Sequence, residues 1–250
     1  TMTLNFLIAP DFAPENFAGW HMLNTTLQRR SGIGLHLLTP ATAREQNELV
    51  ESGQADLIYA NPFDAVSMIR THGYIPFARP AHHYDEMVIA TGAASEFSRV
   101  EDLKPGCRIA LTENKDVRLI GLRLLEPADL TEASISWVPV DSYQAAARMA
   151  IKGEVDAAFF LASSHASFTR MTRSQLRVLV ESAISNIYHV VLAHPRVAGD
   201  LPGISEALLG VQAQPGDGDA LEALGLPGGF ESMTQEDAEF MIDLMDTLLD

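Results

Sequence analysis

Short apolar runs alternate with helix-spaced segments along this chain, and twice a helix turns into a strand through the same pattern. "ESGQADLIYA" covers residues 51–60 and "IKGEVDAAFF" covers residues 151–160, so Gly53 and Asp56 match Gly153 and Asp156. A glycine placed just past a helix can take the left-handed conformation that ends it. An aspartate just ahead of a strand can accept hydrogen bonds from nearby backbone N–H groups. Strand, helix and strand joined by such short turns give parallel strands with helices on the sheet faces. The same turn made twice, one hundred positions apart, predicts two units of this kind.

The rest of the chain fits that reading. "LNFLIA" (Leu4–Ala9) is a short apolar run stopped by Pro10 and reads as a buried strand. Phe17, Trp20, Leu23 and Leu27 have helical spacing within a segment from about Glu15 to Arg30. "LHLL" is a second strand. The next helix is expected to start with Thr39 as N-cap and Pro40 in its first position. "DLIYA" is the third strand, after which Asn61 caps and Pro62 opens a helix that stops at Gly73. "YIPFARP" and "EMVIATG" read as strands.

After Gly92 the rhythm restarts with a strand at Arg108–Leu111, a helix from about Val117 to Leu125, the strand "SISWVPV", and a helix capped by Asp141 or Ser142. "DAAFF" follows as a strand, with Ser163 or Ser164 expected to cap the next helix. "RVLVES" and "NIYHVVLAHP" are further strands, and the chain ends in helical pieces at 203–210, 219–224 and 234–249, punctuated by "QPGDGD" and "LGLPGGF". The expected organisation is an α/β protein of two lobes. Residues 1–89 with 190–250 form the first, residues 90–189 the second, and strands near 86–91 and 187–192 cross between them. Each lobe is expected to hold a mostly parallel sheet flanked by helices.

Composition narrows the function classes. The 250 residues are 47% hydrophobic and 20% charged, as in ordinary globular proteins. No apolar run approaches the roughly 18–20 residues that span a bilayer. The formal net charge of −16 disfavours nucleic acid and anionic membrane surfaces, which select clustered Lys and Arg. A single cysteine, Cys107, rules out an internal disulfide and reads as a buried strand-edge thiol.

Catalytic patterns are missing. His82-His83 is the one tight histidine pair, and neighbours on a strand point to opposite faces. No Cys/His spacing supports a metal site, no Gly-x-Ser-x-Gly elbow surrounds "ASSHAS", and no glycine loop marks a phosphate-bearing cofactor. No catalytic residue, metal or cofactor is therefore expected.

Binding is the better reading. In open α/β sheets, ligands sit outside the carboxyl ends of the parallel strands, where helix N-termini offer unpaired N–H groups. That rule selects Asp11 and Phe12 after the first strand and Asn61, Pro62 and Phe63 after the third. In the second lobe it selects Thr112, Asn114 and Lys115, then Ser142 and Tyr143, then Ser163, Ser164 and His165. Tyr84 adds to these, and Tyr59, Phe63, Tyr143 and Phe160 suit a pocket with aromatic walls and a few polar anchors.

The order of these segments resembles the type II periplasmic solute-binding proteins of phosphonate, phosphite and phosphate uptake, the PhnD-like family. The stretch "LQRRSGIGLHLLTPATAREQNELVESGQADLIYANPFDAVSMI" is similar to the family's first lobe. "VEDLKPGCRIAL" and "DSYQAAARMAIKGEVDAAFF" resemble its second lobe, and "LGLPGGFESMTQEDAEFMIDLM" its C-terminal close.

The resemblance implies a type II periplasmic-binding-protein-like fold, with two lobes joined by two crossing strands and a hinged cleft that holds a small solute. It implies a monomer that passes the solute to an ABC permease without inserting into the membrane. The compartment implied is the periplasm if a signal segment has been removed, and the cytoplasm if Met2 is the native start. The family's hydroxyl-rich turn after the first strand of the second lobe is replaced here by "LTENKDVRLIG", and Tyr143 stands near the family's histidine. "FLASS" stands where the family places an acidic residue that reads an aminoalkyl tail. These changes point to a small solute other than a standard phosphonate, an anion being one option, or to a degenerate site. A ligand-sensing domain, an enzyme on the same fold working through Asp11 or His165, and a ligand-free interaction module are the alternatives.

Overall fold

The computed structural model describes residues 2–213 and 216–249, with no account of the Ala213 and Leu249 side chains. Gln214 and Pro215 of the "QPGDGD" punctuation lie outside the described residues. The chain forms two compact units, Thr1–Tyr84 with Tyr188–Leu244 and Asp85–Ile187 with Met245–Asp250.

The first unit runs β1 (Leu4–Ile8), α1 (Phe17–Ser31), β2 (Leu35–Leu38), α2 (Ala43–Glu51), β3 (Leu57–Ala60), α3 (Pro62–Arg70) and β4 (Ile75–Pro80). The second runs β5 (Met87–Gly92), β6 (Arg108–Leu111), α4 (Lys115–Leu124), β7 (Ser136–Pro139), α5 (Tyr143–Ile151), β8 (Ala157–Leu161), α6 (Ala162–Ser167), α7 (Arg170–Ser174) and β9 (Leu176–Glu181). The chain then returns through β10 (Val190–Ala193), α8 (Leu201–Leu209), α9 (Gly218–Ala223), β11 (Phe230–Ser232) and α10 (Gln235–Leu249).

The first sheet has the order β11-β4-β10-β3-β1-β2, and the second β7-β6-β8-β5-β9. In each, three strands are parallel: β2-β1-β3 in one and β7-β6-β8 in the other. The remaining pairings are antiparallel, so the mostly parallel expectation holds for these cores and each sheet as a whole is mixed. β10 enters the first sheet between β3 and β4, and β5 enters the second between β8 and β9. Antiparallel pairing needs no crossover helix, so each crossing strand seats itself directly beside the parallel core.

Both Gly-x-x-Asp turns close their helices in the same way. Gly53 and Gly153 sit at φ 73 and 72, the left-handed region that favours glycine. Their N–H groups donate to Val50 and Ala150, and the next N–H groups, of Gln54 and Glu154, donate to Leu49 and Met149. This is the paired bond pattern of a Schellman cap.

Two expected caps move. Thr42 rather than Thr39 caps α2: its hydroxyl accepts from Glu45 N at 3.1 Å, while the Glu45 carboxylate accepts from Ala41 N at 2.8 Å. These two bonds satisfy orphan donors that Thr39 and Pro40 would leave open. Ser163 and Ser164 lie inside α6, whose N-cap position is Leu161 and carries no side-chain cap bond. β11, which appeared only as part of a glycine-rich turn, pairs antiparallel with β4.

In the first unit, α1 buries Trp20, Leu23 and Leu27 against Phe6 and Tyr59 of the sheet. Each such apolar side chain contributes about 1.5–3 kcal/mol of burial. In the second, Ala146, Ala147 and Ala150 of α5 pack on Val88, Ala158 and Phe160. Cys107 is buried, as expected. Burial pushes its thiol up, the Asp156 carboxylate adds to this and its own backbone N–H opposes it, and the net shift is upward. Cys107 therefore stays a protonated, unreactive thiol at neutral pH.

Candidate functional site

The strand ends of the first unit collect three polar side chains. β1 and β3 run side by side, with Ile8 opposite Tyr59 and Ala9 N donating to Tyr59 O at 2.9 Å. Asp11 therefore follows β1 at the same edge where Asn61 follows β3. β10 runs against β3, with Val190 opposite Ala60, so the residue before it, His189, arrives at that edge too.

Asp11 Oδ2 is the shared acceptor. The Asn61 Nδ2 donates to it at 2.9 Å, and the His189 Nε2 stands 2.8 Å away. Asn61 Oδ1 turns back to accept from Phe63 N at 2.9 Å, which caps α3 and fixes the amide's orientation. The His189 ring stacks on Tyr59 at 5.1 Å with 22° between planes, and Tyr59 packs in turn on Trp20 at 4.6 Å. Core aromatics thus hold the imidazole in place while its nitrogen meets the carboxylate. Burial pushes the Asp11 carboxyl up. The His189 charge and hydrogen bond, the Asn61 amide and the Asp11 backbone N–H outweigh burial, and the net effect holds the carboxyl below its ordinary value. The result is an ionised acceptor on a rigid base.

Phe12 is half-buried and stacks on the exposed Phe17 ring at 6.3 Å. Pro62 is buried as the first residue of α3, and Phe63 is half-buried beside it. Tyr84 is exposed and tilts against Tyr188 at 6.4 Å, where the chain leaves the unit.

The second unit has its own strand-end set. Asn114 is buried and caps α4, its Oδ1 accepting from Val117 N at 3.4 Å and its Nδ2 donating to the Tyr143 hydroxyl at 3.3 Å. Thr112 is half-buried just after β6, and Lys115 is the exposed first residue of α4. Ser142 caps α5 by accepting from Ala145 N at 3.1 Å. The Tyr143 ring tilts against Phe160 at 6.3 Å, and His165 meets Phe160 and Phe168 at 5.9 Å each. Ser163 is exposed and Ser164 half-buried on α6.

Burial pushes the His165 ring down; Glu181 opposes this and Arg173 adds to it, and the net shift is downward. At neutral pH His165 is a neutral imidazole, able to donate from one nitrogen and accept at the other. The structure thus brings Asp11 to Asn61, and sets Tyr143 and His165 around Phe160 with Asn114 on the Tyr143 hydroxyl. It places Tyr84 against Tyr188.

His189 was absent from the expected set. Its signal in the sequence is one histidine ahead of the apolar run "VVLA", which gains meaning once β10 is known to run against β3.

Residues 6–238 match the model of a family described as the ABC transporter, phosphonate, periplasmic substrate-binding protein. The chain belongs to this family. Members of this phosphonate-type family are non-enzymatic proteins that bind small solutes and work with ABC permease components. No curated protein matches the chain in sequence.

Among solved structures, PhnD1 from Prochlorococcus marinus in complex with methylphosphonate is similar over 98% of both chains, with a TM-score of 0.81 and 13% identity. A binding protein component of an ABC phosphonate transporter from Pseudomonas aeruginosa aligns with 99% of this chain and 86% of its own, with a TM-score of 0.82 and 11% identity. The periplasmic aliphatic sulphonate binding protein SsuA from Escherichia coli aligns with 100% of this chain and 87% of its own, with a TM-score of 0.66 and 19% identity. At these identities the likenesses show the fold, two mixed sheets flanked by helices. No helix among the described residues is long and apolar enough to cross a membrane.

Proposed function

We propose that this chain captures a small solute that brings a protonated amine or another hydrogen-bond donor to Asp11, and that it delivers this solute, as a periplasmic monomer, to an ABC permease. The observation that carries the reading is the Asp11 carboxylate, held ionised at the strand ends by His189 and Asn61. An ionised carboxylate offers only hydrogen-bond acceptors, so a group that brings a donor is favoured beside it over a phosphonate oxygen.

We infer that the first unit meets the solute through Asp11 and Asn61; Asn114, Tyr143 and His165 are the candidate contacts at the second unit's own strand ends. PhnD1 from Prochlorococcus marinus takes methylphosphonate; this chain is expected to prefer an amine-bearing relative of such an oxyanion. The net charge of −16 agrees with the absence of nucleic-acid or membrane partners from this reading.

Thermal-shift titration tests it. A ligand that binds only the folded state adds about 2.7 kcal/mol at a hundred times its Kd. Aminoalkylphosphonates and amino acids are expected to raise the wild-type Tm, and Asp11→Asn to remove the rise. Methylphosphonate and phosphite are expected to act weakly on both. If methylphosphonate raises the Tm of wild type and Asp11→Asn alike, Asp11 is not a solute contact and the reading fails.

A further inference from the structure

The chain passes between its two units at Tyr84/Asp85, at Ile187/Tyr188 and, within α10, at Leu244/Met245; the first two passages lie side by side. Just inside the second unit the two passages are fastened to each other. Asp85 N donates to Ile187 O at 2.7 Å. Ser182 N donates to Met87 O at 3.0 Å, and Met87 N donates to the Ser182 hydroxyl at 2.9 Å.

Glu86 lies between these rungs. Its Oε1 accepts from the backbone N–H groups of Ile184 and Ser185, both at 2.9 Å. Its Oε2 accepts from the Ser182 hydroxyl at 2.7 Å and shares the Ile184 N–H at 3.1 Å. Two successive N–H groups and a hydroxyl converging on one carboxylate form an anion nest, filled from within the chain. Hydrogen bonds to an ionised acceptor are the stronger kind.

The turn that builds the nest is itself unfavourable. Ser185 has φ 65, a left-handed conformation that a side-chain-bearing residue adopts only against a steric penalty. Such a conformation persists where surrounding bonds hold it. The main chain of Glu86 reaches the other way: its carbonyl accepts from Ala162 N at 2.8 Å, at the junction of β8 and α6 and three residues ahead of His165. One residue therefore ties the returning passage, the outgoing passage and the strand end that carries His165.

We propose that Glu86 is a positioning residue that locks these two passages to the second unit, so that bending within them is confined to Tyr84–Asp85 and Ile187–Tyr188. Binding proteins of this kind exchange between conformations by rotation at a few residues, and the Glu86 nest sets which residues those are. The inference uses the family assignment and is independent of which solute Asp11 meets.

The test uses the full chain carrying Cys107→Ser, Glu51→Cys and Lys152→Cys, with a spin label on an exposed position of each unit. Dipolar spectroscopy then reads the spread of distances between the labels. Glu86→Ala is expected to broaden that spread, and added formate, a small carboxylate for the vacated nest, to narrow it again. In hydrogen exchange, the Ile184 and Ser185 amides are expected to exchange about tenfold faster while the strands of the second unit stay protected, as for local opening on loss of a charged hydrogen bond. A merely structural role predicts a lower Tm with an unchanged spread, and that result overturns the proposal. If Glu86→Ala fails to fold, Glu86→Met decides, because it keeps the length of the side chain and removes both acceptor oxygens: a broadened spread supports the lock and an unchanged one overturns it.

Discussion

Asp56 and Asn5 hold each other at both ends of one residue: the Asp56 carboxylate accepts the Asn5 N–H at 2.7 Å, and the Asp56 N–H donates to the Asn5 carbonyl at 3.0 Å. Asp156 and Arg108 repeat the clasp in the second unit, at 2.7 Å and 2.9 Å. In each unit the aspartate enters one parallel strand and seizes the first residues of its neighbour. The repeated Gly-x-x-Asp is thus a register device. It ends a helix, starts a strand and sets that strand against the next, at the opposite edge of the sheet from the carboxyl ends of those strands.

The two clasps differ in burial, and that difference sets the cost of removing them. Asp56 is 8% exposed and its Oδ1 also accepts from Arg196 Nε at 2.7 Å. The Asp156 bond to Arg108 lies in an exposed setting. Leaving a buried donor without a partner costs about 1–3 kcal/mol, and more where a charged partner is stranded. Asp56→Ala is expected to fall near the top of that range, and Asp156→Ala to cost about 1 kcal/mol or less. Urea unfolding at neutral pH reads both, and equal losses would contradict the burial argument.

Acid should act on the Asp11 cluster in a defined direction. Its folded carboxyl titrates below the ordinary aspartate value of about 3.9. At mildly acid pH the unfolded chain therefore binds more protons than the folded one. The contribution of Asp11 is full above the unfolded value and is lost as pH falls through the depressed folded value. The Tm gap between wild type and Asp11→Asn is expected to be widest above that range and to close below it. A gap that grows toward acid would show that the carboxyl is not held ionised.

Much of this architecture was legible locally. The β–α alternation, the two glycine caps and the Asn61 cap depend on residues close in sequence, and short-range patterning reports them. The place of β5 and β10 in the sheets does not, because strand pairing across a hundred residues leaves no period to read. His189 was missed for that reason: its value comes from β10 running against β3. Thr39 reads as the cap because Pro40 suits a first helical position, yet it is the Thr42–Glu45 pair that satisfies the orphan N–H groups. Ser163 and Ser164 were expected to cap α6, but the helix begins directly from the strand. β11 has three residues beside two glycines, too few for any alternation to show.

His165 gives a second titration with three signs to check. Burial pushes its ring down, Glu181 pulls it up and Arg173 pushes it down, with the net result below 6.5. The midpoint followed by NMR of the ring is expected below that value. Glu181→Gln should lower it further, and Arg173→Gln should raise it. The folded protein takes up this proton less readily than the unfolded chain, so stability falls as pH drops through the window below 6.5. A midpoint at or above 6.5 in wild type would remove burial as the dominant influence.

Gly121 opposes two effects of known size. It lies within α4, where replacing glycine by alanine usually gains about 1 kcal/mol of helix propensity. Here a Cβ would meet the Phe159 ring, with Cζ at 2.7 Å, and the Met87 Cε at 2.9 Å. Both partners are fully buried, so neither has room to retreat. Overpacking of this kind costs about 1–3 kcal/mol, which exceeds the propensity gain across most of its range. Gly121→Ala is therefore expected to lower the Tm. Pairing it with Met87→Ala removes one of the two clashes, so the double variant should lose less than the two single losses added together. Simple additivity would show that Gly121 and Met87 do not compete for the same space.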